Sequence, residues 1–346
     1  MKIFIILFCM GVAFLSQAED LRPAIDQLTP AEVKETWEKL SNLISKSGGI
    51  DPADLERARL QGVLQKLGKN ARLTSKKATN EIPLGVNFKT EILPRSILYI
   101  RLGDLAPDNI SQFGESLKKE SKSKAIILDL RATAPNASFE DAARVITFFT
   151  GGGKTLFSLV GSGIASGRNF VTQGDALFTG IVFVLINEET RGPAEVVAAS
   201  LRQQVNALIV GKKSAGEALE FSSLLVNDRL NLEIAVGRIV LPGLPEEFLQ
   251  NGVTPDLAVK SDLVSEREIL GRSEKEGIAP FLFEIERPHM NEASLVAGRN
   301  PELDNYQARK TEKEEPNPLM DRTLQRALDT ATSLLVLREP NKTGTK

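Results

Sequence analysis

The spacing of apolar residues along this 346-residue chain changes from a helical period to short unbroken runs. Near the N-terminus, Val33, Trp37, Leu40 and Ile44 recur three or four positions apart, which is typical of one face of a helix. A second stretch, over 52–67, carries leucines and a valine at similar intervals and is followed by a glycine. We therefore predict two helices that form a hairpin.

Short apolar runs alternate with amphipathic stretches in the middle of the chain. The runs predict strands over 97–102, 124–130, 155–160, 181–186, 207–210 and 232–241. The stretches between them predict helices over 109–119, 139–149 and 193–204. Alternation of this kind indicates a mixed α/β core.

The last part of the chain is rich in charged residues. Residues 307–316, QARKTEKEEP, are too polar to contribute to a core and predict a solvated linker. Four leucines on or near one side predict a last helix over 321–337. We divide the chain into a signal peptide (1–18), an N-terminal helical region (19–90), a core (91–262) and a charged C-terminal extension with a terminal helix (263–346).

The first 18 residues predict a cleavable secretory signal peptide. They carry one charge, Lys2, then an apolar stretch and the small-x-small ending Ser16-Gln17-Ala18. The apolar stretch is shorter than the about 20 residues that a transmembrane helix needs. We therefore expect an exported protein, periplasmic or extracellular, with no membrane insertion after the signal peptide is removed.

Composition excludes several classes of function. With 43 basic and 45 acidic side chains, the formal net charge is −2, which provides no electrostatic basis for binding nucleic acid. The one cysteine, Cys9, lies inside the signal peptide, and His289 is the one histidine. Because zinc sites use several Cys or His ligands, we expect no metal and no cofactor.

Five short motifs occur in order through the predicted core. They are YIRL at 99–102, ILDLR at 127–131, the pair Glu195 and Ala198, VGK at 210–212 and GVTPD at 252–256. Together they make the chain resemble the tail-specific (C-terminal processing) serine peptidases. The resemblance covers roughly residues 91–260. It implies a Clp-protease/crotonase-like core, a spiral of β-β-α units, here with an N-terminal helical hairpin and a C-terminal helical extension.

The resemblance also implies a Ser–Lys catalytic dyad, in segments similar to 187–195 and 211–217. In this chain those segments read NEETRGPAE and GKKSAGE, so the serine position holds Gly192 and the lysine position holds Glu217. A dyad needs a hydroxyl that attacks and a neutral amine that accepts its proton. Neither group is present at these two positions.

The oxyanion-binding region that the resemblance implies also departs from the family pattern. One donor should be the amide of the residue after the serine, but that residue is Pro193, which has no N–H. The other should come from a glycine-rich turn, where this chain has Ala134, Pro135 and Asn136. Since loss of one such donor costs about 3–4 kcal/mol of transition-state stabilisation, we expect a catalytically degenerate protein.

An alternative is an active serine-type endopeptidase with a relocated nucleophile. Thr190, Ser200 and Ser214 are the candidate hydroxyls, and Lys212 and Lys213 are the candidate amines. The pattern favours a turn-forming role for Thr190 and a packed position for Ser200. A lysine base would need burial to lower its pKa.

We therefore expect an exported homologue of these peptidases that binds a polypeptide. Such a protein could hold an extended or C-terminal segment by strand addition to a sheet edge, which relies on backbone groups and needs no nucleophile. A thioester-directed crotonase-like enzyme shares the core by analogy alone, and the sequence carries no coenzyme A signal.

Overall fold

A computed structural model describes residues 26–47, 50–75, 87–133, 137–161, 167–283 and 319–338. The chain divides into two compact units, 1–68 and 69–346. The predicted signal peptide, the linker at 307–316, His289 and the Ala134–Asn136 turn lie outside the described residues. Within the described part of the chain, no helix is both long and apolar enough to cross a membrane.

The first unit contains the predicted helical hairpin. Helix α1 is Pro30–Ser47 and helix α2 is Pro52–Leu67. The α1 start is a capping box: the Thr29 amide donates to Glu32 Oε2 at 2.8 Å, and the Glu32 amide donates to Thr29 Oγ1 at 3.3 Å. The α2 start is capped by the Asp51 carboxylate.

The second unit contains eleven strands and five α-helices among its described residues. The strands are β1 Ala71–Ser75, β2 Lys89–Leu93, β3 Ile97–Arg101, β4 Ala125–Asp129, β5 Thr155–Gly161, β6 Arg168–Val171, β7 Ile181–Ile186, β8 Leu208–Gly211, β9 Leu219–Leu225, β10 Leu230–Val240 and β11 Leu257–Ala258. The helices are α3 Pro107–Lys119, α4 Phe139–Thr147, α5 Pro193–Val205, α6 Leu263–Glu276 and α7 Arg322–Arg338. The predicted mixed α/β class is confirmed.

A six-stranded sheet forms the centre of this unit, in the order β11-β8-β7-β4-β3-β2. All neighbours are parallel except β2 and β3. Strands β3, β4 and β7 are almost entirely buried, which explains why their sequences are unbroken apolar runs instead of alternating ones. Because parallel strands end at one edge, the segments after β4, β7 and β8 meet there.

Helix α7 packs on one face of the central sheet. Its buried side chains Leu324, Ala327, Leu328, Ala331 and Leu335 join a core cluster with the strand residues of that face. The other face carries a larger core with α3, α4 and α5. The predicted last helix is thus confirmed, and it belongs to the compact unit that contains the core.

A buried ionic cluster connects α7 to the end of β4. Arg131 donates from Nη2 to Asp129 Oδ2 and to Asp321 Oδ2, each at 2.7 Å, and lies 3.5 Å from Glu266. Tyr99 donates to Asp129 at 2.8 Å. Burial alone would raise the pKa of Asp129, but the charge and hydrogen bonds of Arg131 hold it below its ordinary value.

The smaller sheet corrects the predicted domain boundary. Long strand β10 pairs with β1 and β5 and also with β9, while β6 pairs with β5. Because β1 belongs to this sheet, the N-terminal helical region ends at Gly68 and not at residue 90. The sequence did not predict β1, because it is a short, half-exposed strand.

Candidate active-site region

Gly192 forms a sharp turn between β7 and α5. It is the N-cap of α5, with φ 60° and ψ −128°, and Pro193 follows as the first helical residue. A positive φ of this kind is strained for any residue with a Cβ, and a strand–turn–helix of this shape is where a nucleophilic serine stands in many hydrolases. The turn thus has the backbone shape expected at the predicted nucleophile position, and Gly192 has no side chain there.

Thr190 holds this turn together. Its hydroxyl donates to the Leu130 carbonyl at 3.1 Å and accepts from the Asn187 amide at 3.1 Å. The residue is fully buried. The hydroxyl thus links the β7 turn to the end of β4, as a turn-forming threonine would.

Glu195 joins the α5 N-terminus to the loop that follows β8. Its Oε2 accepts from the Gly192 amide at 3.0 Å and from the Glu217 amide at 2.7 Å. Its Oε1 accepts from the Ser214 hydroxyl and from the Gly216 amide, each at 2.5 Å. Burial raises the pKa of the Glu195 carboxyl, and these hydrogen bonds oppose that shift.

The other two candidate hydroxyls are also buried. Ser214 donates to Glu195 and accepts from the Val253 amide at 2.7 Å, so both functions of its hydroxyl are used. Ser200 lies inside α5 with no exposed surface, and its hydroxyl has no hydrogen-bond partner among the described residues. Neither residue lines the pocket beside Gly192.

Glu217 is bound by two arginines. Its carboxylate lies 3.3 Å from Arg72 Nη1 and 3.6 Å from Arg191 Nη1. Arg72 also donates from Nε to Glu233 at 2.7 Å and stacks on the Phe221 ring, 4.4 Å from its centroid. Since a guanidinium stays protonated in proteins, none of these cations can accept a proton from a nucleophile.

A pocket of about 320 Å³ opens at these residues. Its lining comprises Arg72, Ala137, Ser138, Phe139, Glu140, Arg168, Arg191, Gly192, Pro193, Glu217, Leu219, Glu220, Phe221 and Glu233. Among these described residues, Ser138 carries the one hydroxyl. That hydroxyl caps α4, where it donates to Asp141 Oδ2 at 2.7 Å and accepts from the Asp141 amide at 3.1 Å.

The two candidate lysines are not among the residues that line this pocket. Lys212 Nζ lies 3.2 Å from Glu188 Oε1, and Lys213 is exposed. Ala134, Pro135 and Asn136 lie outside the described residues. No cluster of three or more His, Cys, Asp or Glu residues suited to a metal ion occurs within the described ranges.

Residues 96–259 match the family model described as peptidase family S41. This segment belongs to peptidase family S41. The match contains β3, β4, β7, α5, β8 and β11, so it includes Gly192, Glu217 and the whole parallel part of the central sheet. The fold recognised from the five motifs is therefore the fold of this family.

Two curated relatives are carboxyl-terminal-processing enzymes. The protease of Synechocystis sp. is 24% identical over 177 residues, 51% of this chain and 40% of the relative. Peptidase 3 of Arabidopsis thaliana, a chloroplastic protein, is 27% identical over 142 residues, 41% of this chain and 27% of the relative. This chain thus spans less than half of the length of each of these relatives.

A solved structure of a photosystem II D1 C-terminal processing protease is also similar to this chain. The sequence identity is 18% and the TM-score is 0.41, over 60% of this chain and 53% of that one.

The structure adds residues that sequence reasoning did not place in the site. Glu195 was recognised only as a family landmark, although its position three residues after the N-cap is the spacing of a capping box and could have indicated its role. Arg191 is adjacent to Gly192 in sequence. Arg72 lies 145 residues from Glu217, so no local signal could have connected them.

Proposed function

We propose that this protein is an exported, catalytically degenerate S41 homologue that binds extended polypeptide segments. One observation carries the proposal: the pocket at the dyad positions has Gly192 and the arginine-bound Glu217 in its lining, where a Ser–Lys enzyme needs a hydroxyl and a neutral amine. The 1–18 segment supports export.

The smaller sheet supports strand addition as the binding mode. Strand β9 begins in the pocket, where Leu219, Glu220 and Phe221 form part of the lining. Within the described residues β9 pairs with β10 alone, which leaves its second edge for another strand. A peptide on that edge would pass over the pocket beside Gly192 and would be held by backbone hydrogen bonds.

Binding of uncharged extended peptides tests this function. Ten-residue peptides rich in Thr and Val, with a fluorescein at the N-terminus, should raise the anisotropy signal on titration with the purified chain. Peptides N-methylated at two successive central residues should bind about tenfold more weakly, because at least one methyl group removes a donor that the edge strand needs. Equal binding of methylated and unmethylated peptides would exclude strand addition, and absence of binding would exclude the function.

A labelling experiment separates this proposal from an enzyme with a relocated nucleophile. A fluorophosphonate probe should leave Thr190, Ser200 and Ser214 unmodified, because all three are buried and two are fully hydrogen-bonded. Ser138 is included because its hydroxyl lines the pocket. Stoichiometric labelling of any one of these residues, abolished by its replacement with alanine, would support the enzyme.

A further inference from the structure

The pocket beside Gly192 holds unequal numbers of charged groups. Its ionisable lining residues are Arg72, Arg168, Arg191, Glu140, Glu217, Glu220 and Glu233. Among the described lining residues, three guanidiniums therefore face four carboxylates, which leaves one negative charge in excess. On one side of the pocket, the two arginines bound to Glu217 balance that carboxylate and Glu233.

The excess negative charge lies around Arg168 on β6. Its Nη1 donates to Glu140 Oε1, and its Nη2 lies 3.5 Å from Glu220 Oε1. The exposed fraction of the side chain is 44% for Arg168, 47% for Glu140 and 33% for Glu220. One guanidinium thus forms ion pairs with two carboxylates, both of which remain accessible to solvent.

We propose that Glu140 and Glu220 select a basic side chain, lysine or arginine, in the bound peptide. This inference rests on the proposed peptide-binding function. A cationic side chain between the two carboxylates would neutralise the excess charge, and the partly enclosed pocket would strengthen that interaction relative to an open surface. An acidic side chain would meet two carboxylates, whose shared guanidinium is already engaged, and would be rejected.

A matched peptide series tests the preference. Three ten-residue peptides, uncharged except for one central residue and blocked at both ends, would carry Lys, Gln or Glu at that position. The Lys peptide should bind about three- to tenfold more tightly than the Gln peptide, and the Glu peptide should bind most weakly. The advantage of Lys should shrink as the salt concentration rises, because exposed charges are screened.

Two variants locate the effect. In the double variant Glu140→Gln and Glu220→Gln, Lys and Gln peptides should bind within about twofold of each other, with the Gln affinity unchanged. The control Glu246→Gln should keep the preference, because Glu246 forms a similar exposed pair with Arg238 outside the pocket lining. Thermal melts would show that each variant is folded.

The possible results distinguish the charge preference from peptide binding itself. Equal affinity for the three peptides would overturn the charge preference and leave peptide binding intact. A Lys preference that survives in the double variant would also overturn it, because the selecting charges would then lie elsewhere. Absence of binding by every peptide would overturn both the preference and the proposed function.

Discussion

The Glu217 carboxylate lies 3.3 Å from the Arg72 guanidinium, at the position that the sequence motifs predict to correspond to the lysine of a Ser–Lys dyad. If that correspondence holds, the charge arrangement is the opposite of a dyad's, with an acid at the predicted base position and permanently protonated groups beside it. Arg191, next to the nucleophile position in sequence, contacts the same carboxylate. Replacement of Glu217 by lysine alone would consequently not create a working dyad.

Glu217→Lys should destabilise the fold. The new ammonium would face Arg72 and Arg191 with Glu233 as the remaining carboxylate bound to Arg72, and the cost should be about 1–2 kcal/mol because the original pairs are partly exposed. Urea unfolding would measure it. Glu246→Lys, at an exposed pair with Arg238, should change the free energy of unfolding by about 0.5 kcal/mol or less. Equal effects of the two substitutions would contradict the importance of the arginine cluster.

Gly192→Ser should also destabilise the protein, and it should restore no proteolysis. A Cβ at Gly192 has room, since its nearest neighbour would be the Glu217 carbonyl oxygen at 3.9 Å, but the backbone φ of 60° is strained for serine. Such strain costs about 1–3 kcal/mol. Gly271→Ala is the matched control, because that glycine lies inside α6 with open space around it, and it should stabilise by about 0.5–1 kcal/mol.

Glu195→Ala should be the most damaging of these substitutions. It removes the acceptor of four hydrogen bonds and leaves the Ser214 hydroxyl and three amides without that partner. Because hydrogen bonds to charged groups are stronger than neutral ones, the loss should reach about 3 kcal/mol or more. Chemical denaturation would measure it. A loss below about 1 kcal/mol would show that the loop after β8 does not depend on this carboxylate.

Acidification should lower the free energy of unfolding because it protonates Asp129. Its pKa in the folded state lies below its usual value of 3.8, so its contribution to stability is present above that pH and is lost as pH falls through the folded pKa. The free energy of unfolding should therefore fall on acidification below about pH 4. Asp129→Asn should show a smaller fall over this interval, whereas Asp228→Asn, on an exposed loop, should follow the wild-type curve.

The parallel strands and their connecting helices could be predicted because burial on both faces leaves an unmistakable apolar run. Strand β3 has no exposed residue, whereas β9 changes from buried to exposed along its length and was not predicted. Helix α6 was missed for a related reason: its buried residues include Glu266 and Ser273 beside Ile269 and Leu270, so its pattern is not apolar. Whether a polar side chain is buried depends on its partners elsewhere in the fold, and the local sequence pattern does not show those partners.

Some residues of the candidate site could likewise be predicted from the sequence, and others could not. Gly192, Pro193 and Glu217 could be proposed as site residues from sequence because they lie in motifs whose spacing is local, and the structure places all three in the lining of one pocket. The pairing of Glu217 with Arg72 could not, because it depends on β1 lying beside β10 in the smaller sheet. Ser138 was overlooked because a capping serine looks the same in sequence whether or not a pocket opens beside it.

The most direct test is mass spectrometry of peptides incubated with the purified chain. Extended peptides that bind, and a reporter protein with an unstructured C-terminal tail, should be recovered intact after prolonged incubation with a large amount of protein. The single variants Thr190→Val, Ser200→Ala, Ser214→Ala and Ser138→Ala, each shown to be folded by a thermal melt, serve as the controls. Cleavage products that accumulate with the wild-type chain, and are absent with one of these controls, would contradict the proposal that the site binds polypeptide without hydrolysing it.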